Sequence, residues 1–143
     1  MNETMKREIK NLVDSAKVFQ ISSVDDNGYP NTKAVFRLQN DGIMTHYIST
    51  NLSAKRSQQY KKNPKACVYF YDADHFMGLM LVGTMEVCTD RHHREMLWRE
   101  GFEMYYPKGI DDEDYCILKF TSEWGNYYHG LNNTTFRVEE YAE

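Results

Sequence analysis

Turn signals recur at short intervals along this chain, between runs of β-branched and aromatic residues, and that punctuation limits what it can fold into. Val18 to Val24 (VFQISSV) is rich in strand formers and stops at Asp25-Asp26-Asn27-Gly28. Asn-Gly predicts a type I′ turn, whose two central residues both need positive φ. A strand resumes over residues 31–38, so the pair reads as a hairpin. Asn40-Asp41-Gly42 marks a second turn, followed by a third strand from Met44 to Ser49. Ala66 to Tyr71 reads as a fourth strand and Phe76 to Cys88 as a long, apolar fifth. Gly78 and Gly83 inside the fifth predict a bulge or a close backbone approach. Tyr115 to Phe120 reads as a sixth, continuing weakly through Trp124, Tyr127 and Tyr128.

Three helices are expected between these strands. Residues 4–16 place Met5, Ile9, Leu12, Val13 and Ala16 on one face, with Thr4 as N-cap. Residues 53–62 form a short polar helix ended by Asn63-Pro64, because the residue before proline avoids the helical region. Residues 90–103 form another, with Asp90 as N-cap and Met96, Leu97 and Phe102 turned inward. Hairpins and short connections favour an antiparallel barrel over alternating βαβ units. The expectation is a single domain over residues 1–143, mainly β, a β-barrel with short helices.

Composition narrows the function classes. Eleven Tyr and seven Phe suit a packed domain, not a disordered one. A net charge of −4 gives no basic footprint for nucleic acid, although Lys55, Arg56, Lys61, Lys62 and Lys65 form a local cluster about the size a phosphate needs. No apolar run is long enough to predict a membrane span. Three dispersed cysteines and no apolar N-terminal leader predict free thiols and a cytoplasmic protein. No metal site is expected: His92 and His93 are adjacent on a helix and diverge, with no third ligand assigned to them. Met77, Met80, Met85 and Met96 read as core filling.

The most informative stretch is Tyr47-Ile48-Ser49-Thr50-Asn51-Leu52-Ser53-Ala54-Lys55. A strand ending in hydroxyl residues turns into a helix whose first amides lack acceptors. Ser53 would sit at that start and Lys55 in the first turn, which together can hold a phosphate. By itself, Ser-x-Lys reads first as an N-cap beside a solvated lysine, and only the surrounding order of motifs favours the phosphate.

Taken in order, Asn27-Gly28-Tyr29-Pro30, Lys33-Ala34-Val35-Phe36-Arg37, Ser49-Thr50-Asn51, Ser53-x-Lys55, Asn63-Pro64 and Val82-Gly83-Thr84 resemble the FMN-binding split-barrel family. That family includes pyridoxamine 5′-phosphate oxidases and general-stress-protein-26-like proteins. The resemblance implies a six-stranded antiparallel split barrel of Greek-key type. It implies FMN as cofactor, a homodimer with the flavin at the subunit interface, and a small-molecule substrate or electron donor. By position, the flavin-ring strand falls on Lys33, Ala34, Val35 and Phe36, the hydroxyl pair on Ser49 and Thr50, and the phosphate ligands on Ser53 and Lys55. The oxidases' arginine between those two ligands is here Ala54, leaving Arg56 or a partner residue to compensate, and their flavin-contacting glutamine corresponds to Gly78. Trp124 corresponds either to a tryptophan near the flavin from the opposite subunit or to a core or interface aromatic. The oxidases' C-terminal Arg-x-His element is missing, since Tyr127-Tyr128-His129 has no arginine two residues before the histidine. That absence favours the stress-protein branch over vitamin B6 oxidation. The resemblance thus implies a flavin-dependent oxidoreductase of undefined substrate or, alternatively, a non-catalytic flavin- or haem-binding stress or sensor protein. No side chain stands out as a general acid or base. His46, His75 and His129 are the histidines a haem would need, and the Tyr105-Tyr106-Pro107 loop could be a lid or an interface.

Overall fold

A computed structural model describes residues 1–142. Helix α1 (Glu3–Ser15) opens at Asn2, whose Oδ1 accepts from the Met5 amide at 2.8 Å, so the cap lies two residues before the expected Thr4. Its apolar stripe buries Ile9, Leu12 and Val13. Eight strands follow: β1 (Val18–Val24), β2 (Pro30–Phe36), β3 (Gln39–Asp41), β4 (Thr45–Asn51), β5 (Lys65–Asp72), β6 (Met77–Cys88), β7 (Tyr115–His129) and β8 (Asn132–Arg137). Helices α2 (Lys55–Lys62), α3 (Arg91–Leu97) and α4 (Val138–Ala142) complete the chain.

The expected six strands are therefore eight. Asn40-Asp41 belongs to the short strand β3, and its turn begins at Gly42, where φ is +56°. The sixth expected strand runs on to His129 and then pairs with β8, whose NNTTFR sequence carries little apolar signal. The expected helix over 90–103 stops at Leu97. Trp98 is extended, and single 3₁₀ turns at Phe102–Met104 and Gly109–Asp111 carry the chain on.

All pairings are antiparallel, in the order β2-β1-β5-β6-β7-β4-β3, with β8 added to β7. The sheet curls into a half-barrel. Strand β4 lies four places from β1 in that order, yet the His46 ring sits 6.2 Å from Phe19 and 5.5 Å from Phe70 across the interior. Phe19, Ile21, Val68, Leu81 and Phe120 fill the same space. A smaller cluster on the outer face, Cys88, Leu97, Tyr106, Tyr115 and Ile117, lies beneath α3 and the segment after it.

Two backbone irregularities follow from particular residues. At the first hairpin only Gly28 has positive φ (+83°), so the type I′ turn expected at Asn27-Gly28 is not formed. Instead the Gly28 amide donates to Asp25 O at 3.0 Å, and the Asp25 carboxylate accepts from the Asn27 and Tyr29 amides at 2.9 Å each. One acidic side chain thus builds the turn. In the long hairpin β6–β7 the register slips between Val82 and Gly83. A Cβ on Gly83 would stand 1.9 Å from Thr121 O, so only glycine fits this bulge. Before it, Leu118 and Phe120 of β7 point inward; beyond it, Tyr127 does, while Trp124, Asn126 and Tyr128 point outward. Gly78 is confined likewise, because a Cβ there would meet Tyr69 Oη and the Tyr128 ring at 2.4 Å. Those two phenols hydrogen-bond at 2.7 Å. Among the described residues no helix is long and apolar enough to cross a membrane. Cys67, Cys88 and Cys116 are unpaired.

Candidate functional site

The half-barrel leaves two strand edges open. Strand β2 pairs only with β1, and β4 beyond Tyr47 pairs only with β7. Backbone amides and carbonyls along both edges are available to something other than this sheet. Helix α2 follows β4 directly and packs back on the first hairpin. Tyr60 Oη donates to Ser22 O at 2.9 Å, Ser23 donates to Gln59, and Lys62 lies 3.1 Å from Asp26. Between helix and hairpin is a cleft of about 370 Å³ lined by Asp25, Asp26, Asn27, Ser53, Lys55, Gln58, Gln59 and Lys62.

The start of α2 differs from expectation in one respect. Its N-cap is Ala54, with no side-chain cap, and the helix begins at Lys55. Ser53 is engaged elsewhere: its amide and hydroxyl donate to the Asp114 carboxylate at 2.8 and 3.0 Å, and Asn51 Nδ2 donates to it at 2.8 Å. These donors, led by the Ser53 amide, hold the Asp114 carboxyl below the usual carboxylate range against the opposing effect of burial. An internal carboxylate therefore takes the donors that the sequence assigned to a phosphate. Asp114 lies 61 residues away from Ser53 and was not singled out in the sequence. Lys55 is exposed, lines the cleft and makes no ion pair among the described residues. The uncapped amides of the first turn and this ammonium still fit an anion.

Arg56, offered by the sequence in place of the absent arginine at position 54, does not line the α2 cleft. Its Nη2 reaches inward to Thr50 Oγ1 at 2.6 Å. Thr50 is buried on the interior face of β4, whereas Ser49 points the other way, toward Tyr106. Strand alternation thus separates the hydroxyl pair.

Alternation also divides β2. Lys33 and Val35 stand opposite Ile21 and Phe19, on the inward face, and Val35 is part of the core. Ala34 and Phe36 face outward, with Phe36 73% exposed beside Val18. The ladder bonds run through the odd-numbered pairs, so the Val35 main chain faces Phe19, and Ala34 and Phe36 are the residues whose main chains face the open edge. Trp124 lies outside both core clusters, on the outer face of β7 opposite Val82. It shares that face with Cys67, Tyr69 and Tyr71 of β5.

The three histidines considered for haem are all engaged. His46 is 1% exposed, with Nε2 3.1 Å from Ile43 O, and burial pushes its pKa down to about 4. His75 pairs with Asp72 at 2.7 Å and His129 with Glu8 at 3.3 Å. His93 has the neighbours that the sequence reading did not give it: its Nδ1 is 2.8 Å from both Asp90 carboxylate oxygens, with the Cys88 thiol close by. The spacing Cys88-x-Asp90-x-x-His93 was the available signal.

These features define a class of small, mainly β proteins built on a curled antiparallel half-barrel with short helices. The family model for pyridoxamine 5′-phosphate oxidase matches residues 5–129, and the chain belongs to that family, in its general stress protein 26-like branch. It is similar, at 48% identity over 99% of both chains and a TM-score of 0.89, to a Clostridium acetobutylicum protein related to general stress protein 26 of B. subtilis (pyridoxinephosphate oxidase family). General stress protein 26 from Bacillus anthracis shares the fold at 14% identity, with a TM-score of 0.74 over 92% of this chain and 98% of that one. A heme binding protein from Mycobacterium smegmatis does so at 15% identity, with a TM-score of 0.76 over 99% of this chain and 61% of that one. No curated protein matches the chain.

Proposed function

We propose that this protein is a flavin-binding stress protein that holds FMN in the seam between β2 and β4 and lacks acid–base machinery of its own. The observation that carries the reading is the uncapped start of α2, with the exposed Lys55 ammonium, at the end of two open strand edges. The phosphate sits on the first-turn amides and Lys55. The ring edge is addressed by the segment Lys33 to Phe36 through the free main-chain groups of Ala34 and Phe36, and on β4 by the Ser49 backbone, with the Thr50 main chain turned to Cys116. Redox chemistry belongs to the isoalloxazine, and the chain's part is binding, orientation and tuning. The haem reading has less support, because each histidine it needs is buried or already paired.

The protein works as a cytoplasmic homodimer in this reading. Exposed Phe36 and Tyr71, with half-buried Trp124, form an outer sheet face suited to a second copy, and two-fold dimers are the commonest oligomers. Trp124 then serves the interface or the partner's flavin.

The test compares FMN with riboflavin, which lacks the phosphate, by flavin fluorescence titration. FMN should bind more tightly, and Lys55→Ala should weaken FMN roughly 10–100-fold while leaving riboflavin unchanged, since charge-assisted bonds contribute about 1.5–3 kcal/mol. Equal affinity for the two flavins, or none for either, overturns the reading. Bleaching of bound FMN by a nicotinamide donor, with recovery in air, would instead make the protein an oxidoreductase.

A further inference from the structure

We propose that Cys88, Asp90 and His93 form a binding site for a divalent transition-metal ion of borderline softness, with zinc as the reference case. The site goes beyond the flavin reading and shares no residue with the cleft at α2. Cys88 ends β6, Asp90 caps α3, and His93 lies in the first turn of that helix. Thiolate, carboxylate and imidazole are the three donor types that zinc sites draw on, and a mixed set of this kind excludes the oxygen-only preference of magnesium and calcium.

The geometry is close to what coordination needs. One ligand atom from each residue lies within 4.8 Å of the other two. Zinc bond lengths of about 2.0–2.3 Å place tetrahedral neighbours roughly 3.3–3.7 Å apart. Closing on an ion therefore takes a shift of at most about 1 Å for the thiol. His93 Nδ1 and the Asp90 oxygens, now at 2.8 Å, need to part slightly.

Burial is graded across the site. Cys88 is 4% exposed, the His93 side chain 19% and the Asp90 side chain 53%. An ion enters from the Asp90 side and keeps one position for water. The Tyr47 ring, 6.2 Å from His93, and the His92 ring, 5.5 Å away, flank the imidazole. Helix capping accounts for the contact between Asp90 and His93 but not for a buried thiol beside both. Binding releases the Cys88 thiol proton to solvent, and the imidazole retains its proton on Nε2. Thiolate and carboxylate then balance the double positive charge.

The experiment is a cobalt titration of the purified, metal-stripped protein, followed by competition with zinc. One equivalent of cobalt should produce a thiolate-to-cobalt charge-transfer band and tetrahedral d–d bands. Zinc should bleach them. Cys88→Ser should abolish the charge-transfer band, and Cys67→Ser should leave it intact. His93→Gln should weaken zinc at least 10–100-fold, the range already seen on losing outer-shell partners. Asp90→Asn, which keeps the helix cap, should weaken zinc as well. A spectrum without the thiolate band at saturating cobalt overturns the site, as does a band that survives Cys88→Ser, or zinc affinity indifferent to His93→Gln.

Discussion

Replacing His46 by leucine takes an ionisable ring out of the barrel interior, and the structure sets how far this should flatten the pH dependence of stability. In the folded protein the ring is 1% exposed, and burial lowers its pKa from 6.5 to about 4. Above pH 6.5 both folded and unfolded chains carry it neutral, and it contributes no pH dependence. Below pH 6.5 the unfolded chain binds a proton that the folded chain refuses, so stability falls until the folded ring also titrates near pH 4. Each pH unit in that window is about 1.4 kcal/mol, which gives about 2 kcal/mol at pH 5. With a urea slope of roughly 2 kcal/mol/M, that moves the unfolding midpoint by about 1 M between pH 7 and pH 5. The leucine variant should lack this component. It should be at least as stable at pH 7, because His46 Nδ1 is buried without a partner. Ile43 O does not lose its only donor, since Ser122 Oγ also donates to it at 2.7 Å. Urea titrations of both flavin-free proteins at one concentration supply the measurement. The exposed ion pairs of His75 and His129 are common to both chains and cancel in the difference. Parallel stability curves for wild type and His46→Leu from pH 7 to pH 5 would refute the argument.

Three further outcomes follow from the fold and the site. Gly83→Ala should destabilise by about 1–3 kcal/mol or more, because its Cβ meets the Thr121 carbonyl and the bulge must shift; an unchanged thermal midpoint would count against the bulge. Asp114→Ala should lower the urea midpoint, losing roughly 1–3 kcal/mol with the Asn51 and Ser53 bonds, while strengthening FMN binding by removing a carboxylate beside the phosphate. A drop in FMN affinity would mean that the carboxylate shapes the site instead of competing for it. Phe36→Asp should shift the sedimentation equilibrium toward monomer, and an unaltered dimer would place the interface elsewhere.

Much of the barrel was legible because its strands carry their own signals. The segments at Val18–Val24 and Met77–Cys88 end close to where their turn residues and apolar runs said they would. What escaped was whatever depended on a partner distant in sequence. Asn132–Arg137 has a weak strand signature and forms β8 because β7 offers it an edge. Ser53 reads locally as a phosphate ligand or a cap, and the folded chain gives both its donors to Asp114. Ser49 and Thr50 read as a pair in one dimension, although a strand must send neighbours to opposite faces. Cys88, Asp90 and His93 were visible as residues, but only the turn from β6 into α3 makes them neighbours.

The slip at Val82 and Gly83 has a consequence for how such a barrel can change. Even-numbered residues of β7 face the interior as far as Ser122, and one surplus residue, Glu123, hands the inward positions to the odd ones. Were Glu123 deleted, Trp124 would follow Ser122 directly, plain alternation would keep Trp124, Asn126 and Tyr128 on the outer side, and only the bulge would vanish. What this surface presents to a neighbour is governed by a headcount of residues: the codon for Glu123 is the one the strand can spare, whereas losing one from the regular stretch beyond it would turn the remainder over.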